Sequence, residues 1–277
     1  MSESLKARIG VENDLPQVAW SLRQIAQGIQ PAVVGALQIT CSDEAEWECT
    51  RVFQSLFVEP LLPGLKPDSR APFRSVNFGG RYEEGTVRLA DQHFATPEAE
   101  RGCRLLVVKL NSHVGVRTTA AGLEYGVMSR YQRSSPCCGA LSLLLEGARL
   151  PALDELAAVF GRDGKDRLAL LRDSQVVPPA FRAVLAAVVN ARLQAQRVVE
   201  DIQKQAPETP TVYLVVPCVT VNSPGPDTEI VVGQCAIDWT GPRPSVQYQG
   251  LGDDPAAMQV RLESGRLRLS DDQWSAV

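Results

Sequence analysis

Apolar positions recur along the chain in three successive regimes. From Asp14 to Ile29 they fall at Leu15, Val18, Leu22, Ile25 and Ile29, and these spacings of three and four predict an amphipathic helix. Asn13-Asp14-Leu15-Pro16 supplies its start, with aspartate as cap and proline just inside. The apolar run Ala32 to Thr40 predicts a strand. Asp43 and Glu46 have the spacing of a capping box and open a second predicted helix carrying Trp47, Val52, Phe53 and Leu56. Pro60, Pro63, Pro67 and Pro72 then exclude helix and inner strand. Strands are predicted over 73–78, 85–94 and 103–117, with turns at Gly79-Gly80 and Glu83-Glu84-Gly85.

The second regime, Thr119 to Gln205, reads as helical, with breaks at Pro136, Pro151, Gly161 to Gly164 and Pro178-Pro179. Its last helix, 180–204, places Phe181, Val184, Leu185, Val188 and Leu193 on one side and would run about 37 Å. In the third regime the period falls to two. Val212 to Val221 is apolar on both faces and reads as a buried strand, although Pro217 argues for an edge or a bulge. Thr228 to Trp239 predicts another strand. A final hairpin follows, in which Met258, Val260 and Leu262 alternate with polar residues, Ser264-Gly265 turns, and Leu267 and Leu269 return.

These elements give an α+β fold class, with mixed or antiparallel sheets and a helical middle segment. Strands and helices do not alternate regularly, which disfavours Rossmann-type and barrel folds. One compact unit over 1–277 is expected, comprising an α/β segment (1–118), a helical segment (119–205) and an antiparallel β segment (206–277).

Composition narrows the function classes. Apolar content of 44% and charged content of 22% are ordinary for a globular chain of 277 residues. A net charge of −4 argues against a general nucleic-acid binder, and no Lys/Arg run exists to propose a local basic patch. The polar N-terminus has no secretory h-region, and apolar runs such as Ala183 to Val189 are far too short to span a bilayer. The expectation is a soluble cytoplasmic protein without a membrane partner. Its seven cysteines then read as free thiols rather than a disulfide framework. Cys103, Cys218 and Cys235 sit in strand-like runs as small hydrophobes, while Cys41 and Cys49 flank an acidic segment without metal-ligand spacing.

Phosphate-loop, Gly-x-Gly-x-x-Gly, His-Glu-x-x-His and Gly-x-Ser-x-Gly motifs are absent. The local chemistry concentrates in Pro136-Cys137-Cys138-Gly139, directly before the leucine-rich helical run Ala140 to Glu146. A thiol at a helix start meets unpaired N–H groups and the positive end of the macrodipole, which favour its thiolate. Only two histidines exist, His93 and His113. In the strand around His113, Leu106, Val108, Leu110, Val114 and Val116 point one way, and Lys109, Asn111, His113 and Arg117 the other. A solvated sheet face is the ordinary reading of that polar row, and a pocket wall the sharper one. Asp91 and His93 would share one side of the preceding strand. If the two strands form a hairpin, His93 and His113 lie on opposite faces, which argues against a joint metal site.

Three function classes follow. The first is a non-catalytic interaction or assembly protein, partnered by a copy of itself or by another protein. The second is a thiol-dependent hydrolase or transferase, with Cys137 or Cys138 as nucleophile, His113 as general base, and Asn111 or Asp91 orienting the imidazole. The third is a small-molecule binding module in which Lys109 and Arg117 converge beside Asn111 and His113. Adjacent Cys137 and Cys138 also suggest a redox pair. No cofactor is expected, and no metal either, since Cys137, Cys138 and one histidine are too few donors for a structural zinc.

Overall fold

The computed structural model describes residues 31–43, 72–94, 103–120, 122–130, 133–177, 179–204, 206–222, 228–249, 259–263 and 266–270. The two predicted N-terminal helices and most of the proline-rich segment lie outside these residues. Strands β1 (Val33–Cys41), β2 (Phe73–Asn77) and β3 (Arg104–Thr119) match the expected apolar runs. The segment expected as a strand over 85–94 is instead helix α1 (Thr86–His93), entered through Gly85 at φ 87°. Its buried residues are Thr86, Val87 and Ala90, the i, i+3 face of a helix, whereas Leu89 is exposed.

The segment read as helical from Thr119 begins with short strands β4 (Gly122–Tyr125), β5 (Val127–Arg130) and β6 (Arg133–Pro136). β4 pairs antiparallel with the end of β3, and β5 with β6. Helices follow as expected: α2 (Gly139–Glu146), α3 (Pro151–Phe160), α4 (Arg167–Arg172) and the long α5 (Arg182–Lys204). Pro151 opens α3 at its first turn, where its missing N–H is harmless, and Gly147 closes α2 in the left-handed conformation.

The C-terminal run, β7 (Thr211–Asn222), β8 (Thr228–Val231), β9 (Gln234–Asp238) and β10 (Ser245–Gln249), joins the same sheet as β1 to β3. Its strand order is β10-β9-β7-β3-β1-β2. β2, β1, β3 and β7 run parallel, whereas β8 and β9 pair antiparallel with β7, and β10 with β9. The fold is therefore α+β with a mixed sheet. The last hairpin forms in the expected register, β11 (Gln259–Glu263) with β12 (Arg266–Ser270), Val260 opposite Leu269 and Leu262 opposite Leu267.

Pro217 corrects the edge-strand expectation, because β7 lies inside the sheet. β9 pairs with residues 212–215 of β7 and β8 with residues 218–221, so the proline falls at the break between them. Its carbonyl still accepts from Val232 N–H at 2.9 Å. The proline sits where the ladder needs no donor.

Helix α5 ties the molecule together. Its first half, including Val184, Leu185, Val188 and Leu193, packs with α2, α3 and α4, while Ala195, Val198, Val199 and Ile202 pack against Leu106, Val108 and Leu110 of β3 and Leu37 and Ile39 of β1. The opposite row of β3 is not a solvated face: Lys109, Asn111 and His113 are all buried. Interior parallel strands are covered on both faces, and here the polar row is part of the interior.

Candidate metal and thiol site

Four segments meet near the carboxyl ends of the parallel strands. β1 delivers Cys41 at its last position, with Ser42 and Asp43 just beyond. β3 delivers His113, and β7 delivers Asn222 as its last residue. Cys137 and Cys138 arrive from β6, immediately before α2. The crevice outside the carboxyl ends of parallel strands is where open sheets holding such strands place ligands.

Gly115 makes the approach of the two cysteines possible. A Cβ at this position would lie 2.7 Å from Cys137 Cβ and 3.0 Å from the Val127 backbone. In its place Gly115 N–H donates to Cys137 O at 2.7 Å, Cys137 N–H to Gly126 O at 2.9 Å, and Gly126 N–H to Gly115 O at 2.8 Å. Backbone contact thus holds Cys137 against β3. The Cys137–Cys138 peptide bond is cis.

The side chains form a tight cluster. Cys41 Sγ and Cys138 Sγ are 3.7 Å apart. One donor atom from each of Cys41, His113 and Cys138 lies within 4.8 Å of the others, and Asp43, His113 and Cys137 form a second such set. His113 Nδ1 lies 2.9 Å from Asn222 Oδ1 and 3.5 Å from Cys137 Sγ. Asn222 Oδ1 can only accept, so Nδ1 carries the proton and Nε2 is left facing Asp43 Oδ2 at 4.0 Å. Cys41, His113, Cys137 and Cys138 are each no more than 4% exposed.

Proximity perturbs every protonation equilibrium in the set. The hydrogen bond from Cys138 outweighs burial and, with His113 alongside, lowers Cys41 to about 4. The same shared hydrogen bond, together with burial, pushes Cys138 well up. Burial opposes charge on His113, but its hydrogen bonds with Cys137, Cys138 and Cys41 together hold it well above its ordinary value. Proximity therefore favours charge separation between a cysteine sulfur and the imidazole.

The expected site residues fare differently. Cys137, Cys138 and His113 are brought together. Asn111 is not at the imidazole, because its Nδ2 donates to Thr220 Oγ1 at 2.7 Å. Asn222 takes the orienting role, and only the β3–β7 register could have announced it. Lys109 lies buried inside the sheet opposite Gln38 and Val216, whereas Arg117 pairs with Glu124 and donates to Ser134 Oγ at 2.7 Å, so the two do not converge. Asp91 belongs to another cluster, held by Arg104 and Tyr213. His93 ends α1 beside the Phe73 ring. Cys137 and Cys138 are free thiols rather than a disulfide. Cys41, read in the sequence as lacking metal-ligand spacing, lies with His113 and Cys138 in a group of possible donors.

No family model matches the chain, and no curated protein matches it in sequence. Solved structures do share its fold. PtLCIB4, a homolog of the limiting CO2-inducible protein LCIB, superposes with a TM-score of 0.60 at 15% identity, covering 90% of this chain and 99% of its own. A point variant of PtLCIB4 gives 0.56 at 15% identity over 84% and 92%. LCIB itself gives 0.50 at 12% identity over 86% and 93%.

Proposed function

We propose that Cys41, His113 and Cys138 hold a zinc ion, and that the site adds water to a small uncharged electrophile, with CO2 as the substrate class. The donor geometry carries this reading. On a tetrahedral zinc with Zn–S bonds of about 2.3 Å, two sulfurs sit about 3.8 Å apart. The Cys41 and Cys138 sulfurs are 3.7 Å apart, with an imidazole nitrogen in reach of both. Two thiols and an imidazole are a zinc-type set, whereas calcium and magnesium take oxygen donors. Three protein donors leave a fourth position open, the pattern of catalytic zinc sites.

Bound there, zinc would supply a Lewis acid and lower the pKa of water. The chain's own groups prepare the rest. Asn222 fixes the His113 tautomer through Nδ1, which assigns Nε2 to the metal. Cys41 is ready as a thiolate, while Cys138 and His113 give up their protons on binding. Asp43 Oδ2, 4.0 Å from Nε2, is the carboxylate placed to accept a proton from water in the site. Deep burial of the donors restricts the substrate to a few atoms, and the limiting-CO2 names of the structural neighbours favour CO2.

The purified protein should carry about one zinc per chain and hydrate CO2 in a stopped-flow indicator assay. Cys138→Ser should lose both. A folded, metal-free chain that hydrates CO2 at the same rate would refute this reading. A non-catalytic interaction or assembly protein is the second reading. The same burial favours it, since a metal sealed from solvent serves to close a fold; zinc content without turnover would establish it.

A further inference from the structure

Cys41 and Cys138 are adjacent in space but 97 residues apart in the chain, and their sulfurs face each other inside the proposed metal site. Cys137 is next to Cys138 in sequence, yet its sulfur is directed elsewhere, 3.5 Å from His113 Nδ1 and 3.6 Å from Asn222 Oδ1. The three thiols are therefore unequal. One pair is preset for bonding across the site, and the third is held by a ring nitrogen and an amide.

We infer that Cys41 and Cys138 form a reversible disulfide under oxidation by a hydroperoxide, and that this bond empties the metal site. The inference rests on the zinc reading given above and adds regulation to it. In the first step the Cys41 sulfur attacks the peroxide oxygen, the O–O bond breaks, and the departing oxygen takes a proton, from the thiol or, in the zinc-loaded protein, from water, so that an alcohol or water departs and Cys41 is left as a sulfenic acid. In the second, the Cys138 sulfur attacks that sulfur and the hydroxyl departs as the S–S bond forms, taking the thiol proton or, in the zinc-loaded protein, a proton from solvent to become water. Two thiols lose two electrons in all, and one hydroperoxide becomes one alcohol and one water. A dithiol reverses the bond by exchange and is itself oxidised to its disulfide.

Each sulfur is one of three protein donors, so a single disulfide removes two of them. Of that set His113 alone then remains, which is too few for zinc retention, and transfer of the ion to Asp43, His113 and Cys137 would show as a cross-link without zinc release, which overturns the inference. The vicinal alternative, Cys137 with Cys138, would remove only Cys138 from the set. Which sulfurs join thus distinguishes a switch that empties the site from one that only weakens it.

The test treats the zinc-loaded full-length protein with hydrogen peroxide, maps disulfides by mass spectrometry of non-reduced peptides, and follows released zinc with a chromogenic chelator. The expected result is a Cys41–Cys138 linked peptide that grows in step with zinc release. Dithiothreitol should reverse it and restore zinc uptake. Cys137→Ala should keep the link and the release, and Cys41→Ser should lose the link. A Cys137–Cys138 product, or oxidation of Cys41 and Cys138 to sulfinic acids without cross-linking, overturns the inference. A protein that holds zinc and never cross-links overturns the switch and leaves the metal reading standing. One that cross-links Cys41 to Cys138 but never binds zinc overturns the metal reading, and with it the claim that the bond empties a metal site.

Discussion

Strands β3 and β7 run side by side, and each end of the pair carries a buried polar cluster. At the start, Arg104 Nη2 meets Asp91 Oδ1 at 2.9 Å, Arg104 Nε donates to Thr211 Oγ1 at 3.2 Å, and Tyr213 OH donates to Asp91 Oδ2 at 2.9 Å. At the end, about 30 Å away by strand rise, lie His113, Asn222 and the three cysteines. The first cluster is balanced: one cation, one anion, and both carboxylate oxygens engaged. The second gathers three sulfurs, an imidazole and a carboxylate, a set rich in electron-pair donors. A cavity of about 520 Å³ opens beside the first, lined by Asp91, Arg104 and Tyr213. By volume that end is the more inviting site, yet its polar groups already satisfy one another. Surplus donors, rather than open space, mark the end suited to a ligand.

The strongest way to break this comparison is to unbalance the balanced end. Arg104→Leu should destabilise the protein by about 1.5–3 kcal/mol, because half-buried Asp91 loses its charged hydrogen-bond partner, while zinc content is unchanged. Urea unfolding with parallel metal analysis reads both, and loss of zinc in a folded variant would erase the distinction between the two ends. A smaller effect is expected at the other end. Asn222→Ala removes the acceptor that orients His113 and should weaken zinc affinity by about 10–100-fold, as measured by competition with a chelator. An unchanged affinity would remove Asn222 from the site.

The smallest effect is a pH slope. Burial raises the Asp91 carboxyl above its ordinary 3.8 even with Arg104 and Tyr213 opposing it. The native state therefore holds this proton more tightly than the unfolded state, so the stability gained from protonated Asp91 is fully present below about 4 and is lost as pH rises through the higher native-state value. Asp91→Asn should flatten this slope in urea midpoints, and an unchanged slope would assign it to other groups.

Much of this arrangement could be read from local sequence, and the remainder could not for identifiable reasons. Cys137, Cys138 and His113 stood out because a helix start and the scarcity of histidine are visible in one dimension. Cys41 and Asn222 each end a strand whose neighbours are set only by sheet order, so their convergence has no local signature. The alternation around His113 was correct in parity, but its environment was misjudged: in a parallel interior strand the polar row becomes interior as well. Residues 85–94 looked like a strand through Val87 and Leu89. The spacing of Val87 to Ala90 carried the helix instead, and Leu89 faces solvent.

The strand lengths have a further consequence. β1 pairs with β3 only as far as Leu110, while β3 continues to Thr119. Where β1 stops, short turns take over the vacated margin: Gly80 lies against the Asn111 carbonyl, and Gly126 and Cys137 bond to Gly115. The candidate site is thus an unfinished piece of sheet, a row left unfilled and then tiled by glycine-bearing backbone. A single extra residue in β1 would extend the row, carry Cys41 past its partners, and erase the site without altering one donor.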